Sequence, residues 1–253
     1  MFLSLKIIRE KLMSEHKFYR YSLYALGEVV LVVIGILIAL KVNQWNESLV
    51  EQELEFKIIQ ELQSNLVHDL SELREDIELM EMVAKATHEI PQQIEAEKPS
   101  KEFLYNAAKI RVAPHFDPNK SGYGLLESNG IGILSNDALR NAISLLYERH
   151  YPYYRRYEQE RMQFVTAHVM PETMKYFFMP FDFSDGGIDI HFSHSMTDTD
   201  YEKLQKDESF IKLVSAVGFE NSAVKSRAQR IERTVTALLL MLREEIDNKK
   251  ASQ

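Results

Sequence analysis

The sequence predicts an all-α protein: one N-terminal transmembrane helix followed by a periplasmic helical bundle with two long heptad-patterned helices. Three observations lead there. Tyr21 to Leu40 is a twenty-residue apolar stretch bracketed by Arg20 and Lys41. Two proline-free stretches, 46–89 and 221–248, repeat apolar residues by fours and threes. The only clearly non-helical piece is 179–200, where Ile188 to Phe192 alternates as a short strand would.

The chain begins with a basic arm. Residues 1–20 hold five basic and two acidic side chains. Phe2, Leu3, Leu5, Ile8 and Leu12 can share one face while the Lys and Arg meet anionic headgroups. The apolar stretch follows. Twenty residues rising 1.5 Å each cover about 30 Å, the hydrocarbon thickness of a bilayer. Tyr19, Tyr21 and Tyr24 gather at one end and Trp45 at the other, as an aromatic belt does. Basic residues precede the span, whereas Glu47, Glu51, Glu53, Glu55 and Glu61 follow it against Lys57. The positive-inside rule then keeps the N-terminus cytoplasmic and places the rest outside. No small-x-small cleavage site follows, so the span reads as an uncleaved signal anchor. The expected division is 1–20 cytoplasmic arm, 21–42 transmembrane helix and 43–253 extracytoplasmic helical domain.

Two features of the span exceed what an anchor needs. Gly35 and Ala39 make a small-xxx-small pair, with Gly27 two turns earlier and Asn43 one turn later. Small residues let helix backbones approach in lipid, so Gly27, Gly35, Ala39 and Asn43 form the expected helix-association face. Glu28 lies roughly 12 Å into the membrane by helical rise. An intramembrane carboxylate is costly and calls for a partner or a task. Three readings stay open: a shallow protonated acid bonding near Tyr24, a contact in an oligomer, or a proton or ion relay.

Composition bounds the partners. The chain has 253 residues, a formal net charge of −8 and no cysteine. The arm is positive, so the outer part carries about −11, which argues against nucleic acid as its partner. Disulfide and thiol chemistry are excluded.

Beyond the span, Leu66, Leu70, Leu73, Ile77, Met80 and Ala84 form a heptad seam, preceded by a stutter through Leu54, Ile58 and Leu62. Pro91 is expected to end that helix. Ser100 caps a short helix, and a Pro- and Gly-rich connector surrounds another at Leu125 to Asn129. SGYG and NGIG lack the context of a phosphate or dinucleotide loop. Ser135 or Asn136 caps a helix lined by Leu139, Ile143 and Leu146. Pro152 interrupts it, and a second helix runs from Tyr153 to about Phe178, kinked at Pro171. The junction interleaves tyrosines and arginines. Tyr147, Arg149, Tyr151, Tyr154 and Arg155 form either a ligand or partner patch, or tyrosines packed under stacked arginines. Asp185, Asp189, His191 and His194 fit no known metal spacing, so no metal and no cofactor are expected. Thr199 starts a capping box, Gly218 is expected to break the helix after it, and Val224, Ala228, Ile231, Val235, Leu238, Leu242 and Ile246 line the last helix. The two long helices are expected to pack antiparallel.

The segment YALGEVVLVVIGILIALKVNQWNE (Tyr24 to Glu47) resembles the N-terminal hallmark of an uncharacterised Bacteroidota family of small single-pass membrane proteins. Gly27, Glu28, Gly35, Asn43, Trp45 and Asn46 carry the likeness, and Leu125 to Tyr147 is more loosely similar to that family's middle region. The resemblance implies an inner-membrane anchor and a helical periplasmic domain, and brings no activity or catalytic residue. The expected function is a membrane-anchored binding or scaffold protein, not an enzyme. Its partners would be the lipid bilayer and a second copy or another membrane protein. An accessory subunit of an ion-driven complex using Glu28, and an enzyme of unrecognised type, are the alternatives.

Overall fold

The computed structural model describes residues 17–179 and 194–251, and among them the chain is all-α. The alternating stretch at 188–192, with Asp185, Asp189 and His191, lies outside the described residues. The elements are α1 (Lys17–Gln93), α2 (Lys101–Lys109), α3 (Ser121–Asn129), a 3-10 turn (Ile131–Ile133), α4 (Asp137–Leu145), α5 (Tyr151–Phe164), α6 (Met170–Thr173), α7 (Asp198–Gln205) and α8 (Glu208–Ala251). The chain divides into two compact units, Met1–Glu55 and Phe56–Gln253.

In the first unit α1 is long and apolar enough to cross a membrane. Every apolar residue described from Leu26 to Val42 is exposed, with Leu31 at 73% and Val33 at 47%. Nothing in the sequence between Lys41 and Asn46 breaks a helix, and α1 runs through it.

The second unit is a bundle in which α1 and α8 run antiparallel. Arg74 meets Glu232 at 2.9 Å, the Asn221 amide donates to the Met80 carbonyl at 2.8 Å, and Gly218 lies beside Thr87. The partners rise along one helix as they fall along the other. All seven apolar residues expected to line the last helix are buried. Gly218 does not break it. The helix continues because a missing side chain there admits Thr87, whose Oγ1 would sit 3.1 Å from a Cβ on Gly218.

Other boundaries differ from the sequence reading for local reasons. α1 passes Pro91 and ends two residues later, since the Ile94 amide reaches the Ile90 carbonyl and both isoleucines are buried. α3 starts at Ser121, four residues earlier than expected, with both of its early glycines helical. α7 is capped by Thr197, whose hydroxyl accepts from the Asp200 amide. Ser100 and Asn136 cap α2 and α4 as expected.

The prolines at 152 and 171 do not interrupt the helical path. Each is preceded by a five-residue π turn, Leu146–His150 and Val165–Val169, in which the Tyr151 and Met170 amides bond to the carbonyls of Leu146 and Val165. A proline lacks the amide hydrogen and its ring crowds the carbonyl four residues back. Widening the turn before it relieves both. The helical path then ends at Thr173, earlier than Phe178, which pairs instead with Ser195 in an antiparallel bridge.

One apolar core lies where α1, α2, α7 and the start of α8 converge around Phe103, Phe177, Tyr201 and Phe210. Phe103 meets Phe177 at 5.9 Å and Tyr201 at 5.6 Å between ring centroids. His194 belongs here, buried 5.4 Å from the Phe177 ring.

A candidate site of buried carboxyls beside a shallow cleft

The inward face of α1 is not purely apolar. Leu62, Leu66, Asp69, Leu73, Asp76, Met80 and Val83 are buried in steps of four and three, whereas Leu70 and Ala84 are partly exposed. Two carboxylic acids therefore occupy positions that a helix of this kind gives to the core. Opposite them α5 turns inward Tyr151, Tyr154, Glu158 and Arg161, again three and four apart. Between the two helices runs the connector from Val112 to Lys120, which has no regular structure of its own.

The acids hold that connector. Buried amides outside helices need acceptors. The Asn119 amide donates to Asp69 Oδ1 at 2.9 Å, and the Phe116 amide donates to Glu158 Oε1 at 2.9 Å. Tyr151 donates its hydroxyl to Asp69 Oδ2 at 2.9 Å. At the next level the Gly122 amide donates to Asn65 Oδ1 at 2.8 Å, so α3 begins directly on α1. Aromatic rings fill the space around these bonds. Tyr123 stacks on Tyr147 at 4.4 Å, Tyr147 meets Tyr151 edge-on at 5.3 Å, and Phe116 sits 5.4 Å from Tyr151.

Burial in this ring-lined space disfavours charge. Desolvation, the largest influence, pushes Asp69 up to about 6 against the opposing pull of its two hydrogen bonds. It pushes Asp76 up to about 6, helped by Glu72 and opposed by His115. Glu158 rises to about 7, where Asp76 adds to the burial effect and Arg155 opposes it. Tyr151, Tyr154 and Tyr147 are raised for the same first reason. Among the described residues, Asp76 Oδ2 has no hydrogen-bond partner. Arg161 is 2% exposed, yet among the described residues only Nη2 is paired, with the Ile110 and Val112 carbonyls at 3.3 and 3.4 Å. Desolvation lowers its guanidinium to about 10.

Glu158 also borders a cleft of ≈ 270 Å³ lined by His115, Asp117, Arg155 and Met162 among others. Arg155 and Asp117 approach across it at 3.9 Å. The site can therefore present a guanidinium, an imidazole and a protonatable carboxyl to a small polar group. Among the described residues, no three histidine or acidic side chains come together in a way that could hold a metal ion.

The sequence-predicted patch is split by this geometry. Tyr147, Tyr151 and Tyr154 point inward at 5, 3 and 1% exposure, while Arg149 and Arg155 are exposed. Only Arg155 reaches the cleft. In the other unit Glu28, Gly27, Gly35, Ala39 and Asn43 are exposed along α1. A Cβ on either glycine would meet nothing within 4 Å, and Asn43 donates to Glu47 Oε1 at 2.7 Å. Sequence reading missed Asp69, Asp76 and Glu158, and it grouped Arg161 with the junction arginines expected at the surface, whereas Arg161 is buried. For the two aspartates a signal was present: Leu66, Leu73 and Met80 are spaced by sevens, which leaves 69 and 76 on the same face.

No match to the chain is found among the curated proteins or among the solved structures. A family model does match, over residues 28–180, which takes in the apolar helix from Glu28 onward, the connector and all three raised carboxyls. On that match, which covers more than half of its length, the chain belongs to the family of unknown function DUF6090.

Proposed function

We propose that the protein is a membrane-anchored helical binding or scaffold protein of the inner membrane, with its N-terminus cytoplasmic and residues 43–253 in the periplasm. The observation that supports it is the exposure of the whole apolar stretch of α1, from Leu26 to Val42, next to a separate helical unit with its own core. Apolar surface on that scale is stable in water only when something covers it, and lipid is the covering that matches its length. The resemblance to a Bacteroidota membrane family supports the same placement.

In the second unit Asp69 and Glu158 each spend an oxygen on a connector amide. That use suits a scaffold that presents a fixed surface better than it suits acid–base catalysis. The exposed glycines and Ala39 along α1 provide a face on which a second copy or another membrane helix could pack.

Reporter fusions after Gln253 test the placement: activity is expected outside the cytoplasm, and activity on the cytoplasmic side overturns it. Purification of intact protein from membranes tests the scaffold reading. A stoichiometric membrane-protein partner, or a homo-oligomer lost in Gly35→Ile, is the expected result. Monomer alone, unchanged by Gly35→Ile, counts against it. The reading in which Glu28 serves an ion-driven complex rests on that single exposed acid. Glu28→Gln separates the two, since loss of ion-coupled work with assembly intact favours the second and loss of assembly the first.

A further inference from the structure

α4 and α8 lie antiparallel. Asn136 donates to Glu245 Oε2 at 2.7 Å at one end of α4, and His150 lies near Arg230 beyond the other. Between them is an open crevice of ≈ 360 Å³. Its apolar wall consists of Ala142, Leu145, Ala237, Leu238 and Met241. Leu145, off the stripe of Leu139 and Ile143 that is fully buried, is left 45% exposed.

The crevice has two unlike ends. Arg230 and Arg233 line one of them. Arg149 and Arg230 both press on His150, whose imidazole is held below its ordinary value by burial first and then by these two charges. Neither Arg230 nor Arg233 has an ion-pair partner among the described residues. In a chain of net charge −8, two unpaired guanidiniums at the mouth of an apolar trough are out of keeping with their surroundings. Arg230 to Met241 covers about 16 Å along the helix. The length therefore runs from a cationic head to an apolar tail.

We propose that this crevice binds a single-chain anionic amphiphile, an alkyl carboxylate whose head group pairs with Arg230 and Arg233 and whose chain lies over Leu145, Ala237 and Met241. A guanidinium meets a carboxylate in a bidentate pair, which gives the head a defined seat. The volume is at the small end of ligand pockets, about 300–1,000 Å³, and matches a single alkyl chain. The proposal uses surface that the anchor and the carboxyl site leave idle.

The test is equilibrium binding of radiolabelled laurate to the full chain in phosphatidylcholine nanodiscs, with empty nanodiscs as the partition background. One saturable site per chain is expected. Arg230→Gln with Arg233→Gln should weaken it at least tenfold, and Ala237→Trp should abolish it. Dodecanol should bind at least tenfold more weakly than laurate and ignore the arginine changes. Leu145→Glu, at an exposed position that does not threaten folding, should also abolish laurate binding. An unchanged laurate affinity in these variants overturns the proposal, as does the absence of saturable binding above empty nanodiscs. Displacement of laurate by phosphatidylglycerol built into the nanodisc, at equal molar ratio, would mark a bilayer-lipid site and overturn it too.

Discussion

The Tyr151 hydroxyl reaches across 82 positions of sequence to Asp69 Oδ2, at 2.9 Å, inside the helical unit. With it Asp69 uses both oxygens, one on a side chain of α5 and one on the Asn119 amide of the connector. Removing one partner of a buried pair leaves the other desolvated and unsatisfied, at a cost of about 1–3 kcal/mol. Tyr151→Phe should therefore lower stability by that amount in urea denaturation of the intact protein. Tyr153→Phe, on an exposed residue of the same helix, should cost little. A double cycle of Tyr151→Phe with Asp69→Asn should show coupling of about 1 kcal/mol. Full additivity would sink the assignment.

Gly122 is where α3 meets α1. A Cβ there would stand 2.8 Å from the Leu62 amide nitrogen and 3.0 Å from Asn65 Oδ1. The first neighbour is backbone and cannot swing aside. Gly122→Ala should destabilise by about 2–3 kcal/mol, as overpacking in a filled interface does. Two residues on, a Cβ at Gly124 meets nothing within 4 Å. Since Ala is favoured over Gly in a helix, Gly124→Ala should be neutral or stabilising by up to about 1 kcal/mol. Thermal melts of the pair settle this: equal effects would show that the close approach is not real.

These two glycines show what the sequence could and could not reveal. Both sit in a short motif that reads as turn chemistry, yet both are helical, because α3 docks on α1 through an Asn65 side chain that no local pattern announces. The apolar helix and the seven core residues of α8 were legible because water alone dictates their spacing. The carboxyl site was not, because α5 buries a carboxyl and a guanidinium on its inner stripe and so lacks the apolar period that marks a core face. Pro152 misled for a related reason, whereas the helical path runs on through Pro171 as expected. The local rule at Pro152 is correct, but a π turn satisfies it without ending the helix.

Arg161 is buried, with Nε and Nη1 unpaired among the described residues. A buried charge without a compensating partner costs more than its few bonds return, and apolar residues of similar volume often replace such groups without loss. Arg161→Met keeps much of the stem packing and removes the charge. It should leave stability unchanged or raise it by about 1–2 kcal/mol. Arg161→Ala should instead lose about 2–4 kcal/mol through the cavity it opens. A loss above about 2 kcal/mol in Arg161→Met would mean that the guanidinium has a partner worth keeping.

The three raised carboxyls make stability depend on pH in a defined direction. Asp69 and Asp76 rise from 3.8 to about 6, and Glu158 from 4.5 to about 7. The folded protein holds protons there that the unfolded chain has already released. The stability linked to them is complete below about pH 4 and is lost as pH rises through the folded values, about 6 to 7. Each site contributes on the order of 1–3 kcal/mol across that window. His150, pushed down, works the other way below its ordinary value, one group against three. Asp207, held near 2 chiefly by the Ser209 hydroxyl, keeps its contribution throughout and loses it only in stronger acid. The urea midpoint of the intact protein should therefore be higher at pH 5 than at pH 8. Asp69→Asn, Asp76→Asn and Glu158→Gln together should flatten the profile, since each change removes a titrating charge, and the amide oxygens at 69 and 158 still accept from the connector. A flat profile in the unaltered protein, or an unchanged slope in the triple variant, would place the titrating groups elsewhere.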